Sequence, residues 1–100
     1  MREIIISDDA KTKIKNLLEY IESKWSDSVR RKFAQKLYYC VKIIRENPDA
    51  FPKSENSKKI HKCVITKQTT LFYRFNDKRV EILTIFDTRQ DPNNIKKDIK

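Results

Sequence analysis

His61, Arg89, Lys62, Lys67 and Tyr73 are the side chains whose types could support proton transfer or phosphate chemistry. His61 is the only histidine, and imidazole is the one side chain that ordinarily titrates near neutrality. RNA cleavage needs a cation to stabilise the pentavalent phosphate and a second group to move a proton to the leaving oxygen. Arg89 suits the first task. Lys62, Lys67, Tyr73 and His61 all suit the second by chemistry alone. Ser57, Glu55 and Asp87 hold no spacing that specifies a triad with His61, whose place at the entrance to a strand gives a structural role precedence.

Composition removes several classes of function. With no glycine, the chain has neither a P-loop nor a dinucleotide fingerprint, since both need glycine for close backbone approach to phosphate. Cys40 and Cys63 have no zinc-ligand spacing and lie within apolar patterns, which points to buried free thiols. No metal and no cofactor are expected. No apolar run approaches the roughly 20 residues that span a bilayer, so no membrane partner is expected and the location is expected to be cytoplasmic.

Charge is the positive signal. The chain carries 23 basic and 14 acidic residues, a net +9, which favours nucleic acid, a ribosomal surface or an acidic protein as partner. The first fifty residues hold 11 basic and 8 acidic side chains, the last fifty 12 and 6. The excess therefore falls on the second half, where Lys58, Lys59, Arg74, Lys78, Arg79 and Arg89 are the candidate partner-binding residues. Lys62 and Lys67 lie among them.

The elements that must position these groups follow from periodicity. The isoleucines of Arg2 to Ile6 make a short strand, and Ser7-Asp8-Asp9 supplies oxygen acceptors for a first helical turn. Ala10, Ile14, Leu17, Leu18, Ile21 and Trp25 form one helical stripe; after a second capping pair at Ser26-Asp27, so do Val29, Phe33, Leu37, Cys40, Val41 and Ile44. So short a break makes an antiparallel helix hairpin. Pro48 ends the second helix near Asn47, and Asp49 to Lys59 reads as a surface loop.

Ile60 to Ile65, Leu71 to Phe75 and Val80 to Phe86 are strands rich in β-branched and aromatic residues. Asn76-Asp77-Lys78 turns the last two into a hairpin, with Asn or Asp standing where glycine is usual. Alternation places Leu71, Tyr73 and Phe75 on one face and Phe72 and Arg74 on the other. After a turn at Asp91-Pro92-Asn93-Asn94, a short final helix is expected in a charged tail that is free to move from about residue 93. The fold class is α+β in the order β-α-α-β-β-β: an N-terminal helical hairpin packed on a small, mainly antiparallel sheet, with residues 1–100 forming one domain.

Three stretches, NLLEYI in the first helix, IRENPDAFP over Ile44 to Pro52 and IFDTRQDP over Ile85 to Pro92, occur in an order that resembles the RelE/ParE superfamily of bacterial type II toxin-antitoxin systems. The resemblance spans about Met1 to Asn94. It implies a toxin that arrests growth and serves plasmid stabilisation, in a possible hetero-oligomer with a cognate antitoxin. RelE-like members cleave mRNA in the ribosomal A site, and ParE-like members inhibit DNA gyrase. Arg89 matches the basic position after the last strand. Thr70 falls where the ribonucleases often keep an arginine, although Arg74 shares its face; Ile95 and neighbouring lysines stand where many have an aromatic residue or histidine. The chain is thus closer to the ParE-like branch, expected to inhibit gyrase by protein binding. The alternatives are a ribosome-dependent ribonuclease, with Arg89, Lys62 and Lys67 as catalytic residues, and a degenerate, non-toxic antitoxin-binding protein.

Overall fold

The computed structural model describes residues 2–55 and 57–89. Strand β1 (Glu3–Ile6) leads into helix α1 (Asp8–Lys24) and helix α2 (Asp27–Glu46). A 3-10 turn at Pro48–Ala50 follows, then strands β2 (Lys53–Ser54), β3 (Ser57–Val64), β4 (Thr69–Phe75) and β5 (Arg79–Asp87). One five-stranded sheet results, in the order β1-β5-β4-β3-β2. β1 runs parallel to β5 and the other neighbours are antiparallel.

Both helices begin where a serine oxygen replaces a missing backbone acceptor. Ser7 Oγ accepts from the Ala10 N–H at 3.0 Å, and Ser26 Oγ accepts from the Val29 N–H at 3.1 Å. Asp8, Asp9 and Asp27 lie in the first turns, where the positive end of the helix dipole favours carboxylates. α2 stops at Asn47, whose backbone at φ −146°, ψ 78° has left the helical region that the following proline disfavours.

α1 lies against β5, and α2 packs on α1. Leu17 and Ile21 of α1, Phe33 and Ile44 of α2, and Cys63, Leu71, Tyr73, Val80, Ile82 and Ile85 of the sheet are buried together. The two ends of the predicted helical stripes behave differently. Trp25 is 51% exposed and Val29 is also exposed, because the hairpin tip reaches the end of the sheet that would otherwise cover them.

The predicted loop at 49–59 is partly ordered backbone. It holds the 3-10 turn, the two-residue β2 and the first residues of β3. Polar residues extend β3 because it gains hydrogen-bonding partners on both edges, from β2 and β4. Among the described residues none has positive φ, so Asn76 does not substitute for glycine in conformation. Its side-chain Oδ1 instead accepts from the N–H groups of Lys78 at 2.8 Å and Arg79 at 3.0 Å. The turn expected at 91–94, the final helix and the tail lie outside the described residues.

β5 carries a bulge. Phe72 faces Thr84 and Tyr73 faces Ile82, which leaves Leu83 without a partner. The extra residue shifts the alternation, so Val80 and Ile82 are buried before it and Ile85 and Asp87 after it. Ser7 holds the bulge: its N–H donates to Ile82 O at 3.0 Å and its Oγ–H to Leu83 O at 2.7 Å.

Candidate functional site

The bulge in β5 turns Asp87 into the protein, and this fixes Arg89. The Asp87 side chain is 1% exposed and the Arg89 side chain 25%. Arg89 donates from Nε to Oδ1 at 3.2 Å and from Nη2 to Oδ2 at 2.8 Å, a two-point pair. The Arg89 backbone N–H also donates to Oδ1 at 2.9 Å, and Thr69 Oγ1 donates to Oδ2. Burial would raise the Asp87 carboxyl pKa, but hydrogen bonds from Arg89 and Thr69 outweigh it and hold the pKa below the ordinary value. The same hydrogen bonding raises the Arg89 pKa.

Aromatic residues at the helix-hairpin tip complete this surrounding. The Arg89 guanidinium carbon lies 5.3 Å from the centroid of the Trp25 ring. Tyr20 packs edge-on to Trp25 and donates its hydroxyl to Arg89 O at 3.1 Å. Beside Arg89 opens a cleft of about 290 Å³, lined by Ile21 of α1, by Val29, Lys32, Phe33 and Lys36 of α2 and by Thr66 and Gln68 of the β3–β4 turn. This end of the molecule therefore presents cations over a partly apolar floor. It can hold an anion, but Arg89 already has a carboxylate as its partner.

The other predicted residues do not gather around Arg89. Lys67 is exposed in the β3–β4 turn, at the same end of the sheet. Lys62 lies in mid-β3, on the face opposite buried His61 and Cys63, with Nζ 3.4 Å from Glu55. Lys59, Arg74, Lys78 and Arg79 occupy the far end of the sheet, near the β4–β5 turn. Arg74 pairs with Glu81 at 2.7 Å. It shares a strand face with Thr70 but lies about 13 Å further along, so it does not take the place of an arginine at Thr70. Lys58 lies in β3 by its backbone, and its side chain is outside the described set. Arg2 joins the far cluster, with Nε donating to Asn76 O at 2.8 Å.

The remaining candidate groups are engaged in the fold. His61 is buried, its Nδ1–H donates to Phe51 O at 2.8 Å, and its ring stacks on Tyr73 with centroids 5.4 Å apart. Tyr73 is fully buried and donates its hydroxyl to Pro48 O at 2.7 Å. Burial pushes the Tyr73 phenol pKa up and the Cys63 thiol pKa up to about 12, so both stay protonated at neutral pH.

Sequence reasoning missed Asp87, Thr69 and Trp25 as the surroundings of Arg89, and Lys32 and Lys36 as its neighbours. The Asp-x-Arg spacing at 87–89, which favours one face of an extended chain, was a usable signal. The four-residue step between the two lysines on α2 was another. Thr69 gave none, because its role depends on strand register.

The sequence model of the family described as the ParE toxin of the type II toxin-antitoxin system parDE matches residues 4–92. Among solved structures, the fold is similar to that of the chromosomal ParDE TA system from P. aeruginosa, with TM-score 0.74 and 12% identity over 87% of this chain and 96% of that one. It is also similar to the E. coli DinJ-YafQ complex, with TM-score 0.63 and 15% identity over 90% and 97%. The YoeB dimer from Staphylococcus aureus matches with TM-score 0.59 and 16% identity over 85% and 94%. At such identities the likeness is one of fold. No curated protein sequence matches the chain.

Proposed function

Since the chain belongs to the ParE toxin family of type II toxin-antitoxin systems, we propose that it arrests growth by binding and inhibiting DNA gyrase, without covalent chemistry of its own. The observation that carries this reading is the engagement of the groups RNA cleavage would use. Arg89 is held at two points by Asp87, and the only histidine is buried on a backbone carbonyl. A phosphate clamp at Arg89 would have to compete with a carboxylate already in place. Thr70, where the family's ribonucleases often keep an arginine, adds no cation.

A cognate antitoxin is the partner that keeps such a toxin silent. Its expected seat is the groove of about 390 Å³ along α1, where Ile6, Ile14 and Leu18 form an apolar floor; among the described residues, Lys11 and Lys15 are the free cations on its rim, beside Glu19 and an Arg30–Glu22 pair at 3.2 Å. An amphipathic segment with apolar anchors for the floor and carboxylates toward Lys11 and Lys15 fits that combination.

The test uses purified, folded toxin in a gyrase supercoiling assay, alongside primer extension on translated messages after brief induction. Loss of supercoiling at stoichiometric toxin, with no new A-site cleavage, is expected. Unaffected supercoiling at an excess of toxin would overturn the reading. A-site cleavage would replace it with the ribonuclease, for which Arg89, Lys62 and Lys67 remain the candidate groups. Undisturbed growth on expression without antitoxin would point to a non-toxic antitoxin-binding protein.

A further inference from the structure

The outward face of α2 carries the largest exposed aromatic surface among the described residues. Tyr38 is 72% and Tyr39 64% exposed, opposite the face on which Phe33 and Ile44 are buried. They border a shallow depression of about 440 Å³ whose other walls are Arg31, Ala34 and Gln35. Ala34 is the small residue that leaves it open.

Charge says what can cover this face. α2 has no carboxylate between Ser28 and Arg45, while six basic residues lie in that stretch. Arg30 lines the α1 groove and Lys32 and Lys36 line the Arg89 cleft, whereas Arg31 lines the tyrosine depression and Lys42 follows Tyr38 by one helical turn. Its acidic residues stand at the two ends, and Asp27 is already paired with Arg30 at 3.0 Å and Arg31 at 3.1 Å. A second copy of the chain would set cations against cations, so self-pairing of α2 is disfavoured. A polyanionic partner is favoured.

We propose that the outward face of α2 is a docking surface for an acidic protein segment that places one apolar side chain between Tyr38 and Tyr39. A protein fits better than a nucleic acid for a geometric reason. Successive residues of a helix point about 100° apart, so the two rings cannot offer parallel platforms to successive bases, as single-strand binding requires. They can flank a side chain seated over Ala34, with Lys42 meeting a carboxylate on one side and Arg31 on the other. Unlike the Arg89–Asp87 pair, the Arg31–Asp27 pair is solvent-exposed and therefore weak enough to exchange partners. The proposal deepens the reading that this toxin works by binding protein, and it concerns a face other than the α1 groove assigned above to the antitoxin.

The test compares the full-length protein with Tyr38→Ala/Tyr39→Ala and Arg31→Glu/Lys42→Glu variants. The probes are a labelled peptide of alternating Glu and Leu and a single-stranded RNA of equal charge, both read by fluorescence anisotropy. Wild type should prefer the peptide, and each double variant should weaken peptide binding at least tenfold. Because all four side chains are exposed, each variant should still melt in one cooperative transition, with only a small shift for the charge variant, which loses the exposed Arg31–Asp27 pair; melting serves as the folding control. The proposal is overturned if the tyrosine variant binds the peptide as well as wild type, or if RNA binds more tightly and loses as much. It is equally overturned if sedimentation shows a dimer that the tyrosine substitutions dissolve. Peptide binding that persists while gyrase supercoiling is unaffected would sink the gyrase reading and support this surface.

Discussion

Asp87 is the one buried carboxylate among the described residues, and its four donors make it the side chain on which the end of β5 depends. Replacing it by Asn removes charge-assisted hydrogen bonds and leaves Arg89 without its counter-ion, a loss of about 2 kcal/mol. Urea denaturation at neutral pH should report it. Because the folded-state pKa of Asp87 lies below the ordinary value, its contribution is complete above about pH 4 and disappears as pH falls through the folded pKa. The stability gap between wild type and Asp87→Asn should therefore close below about pH 4; a gap constant down to the acid transition would contradict the pairing. Tyr73→Phe tests a second buried contact. It leaves Pro48 O without its donor, and about 1 kcal/mol of stability should be lost. Cysteine reactivity offers a third check, since Cys63 is buried with its thiol pKa near 12 while Cys40 is only partly covered. A thiol reagent should titrate one cysteine per native chain and two in denaturant.

At the scale of elements, Ser7 joins three pieces of structure: the exit from β1, the bulge of β5 and the first turn of α1. Ser7→Ala should cost about 1–2 kcal/mol, at the upper end for a helix cap, because it also removes the donor to Leu83 O. A cost near zero by thermal melting would show that water replaces both bonds. Both helices and the three long strands were legible in the sequence, because apolar periodicity is a local property that survives without knowledge of neighbours. β2 was not, since Lys53 and Ser54 have neither β-branching nor alternation, and only pairing with β3 makes them a strand. The bulge at Leu83 was equally silent, as an uninterrupted run from Val80 to Phe86 fits either parity. Arg89 could be singled out by its place after the last strand. Its engagement by Asp87 and Thr69 could not, because that depends on the shifted parity and on register.

For the whole molecule, dividing the charge between the two halves of the chain concealed where much of it lies. The sheet half does hold an excess, but Arg74, Arg89 and Lys62 have acidic neighbours there. α2, with six basic residues and two acidic ones, was averaged with a balanced α1. An antitoxin seated on this apolar groove, with its carboxylates toward Lys11 and Lys15, should bind in a salt-sensitive manner, losing about tenfold in affinity from low to moderate salt without being released. Complete release at moderate salt would mean that the apolar floor contributes nothing. The parallel pairing of β1 with β5 bears on how the chain is made. Ile4 meets Val80 and Ile6 meets Ile82, so during synthesis the first strand has no neighbour until almost all the described chain has left the ribosome. Native contacts so far apart in sequence form late, and a prematurely terminated fragment would display the isoleucines of β1 to chaperones and proteases. Cells would thus discard incomplete copies as misfolded chains, and the capacity for toxicity would arrive only with the last strand.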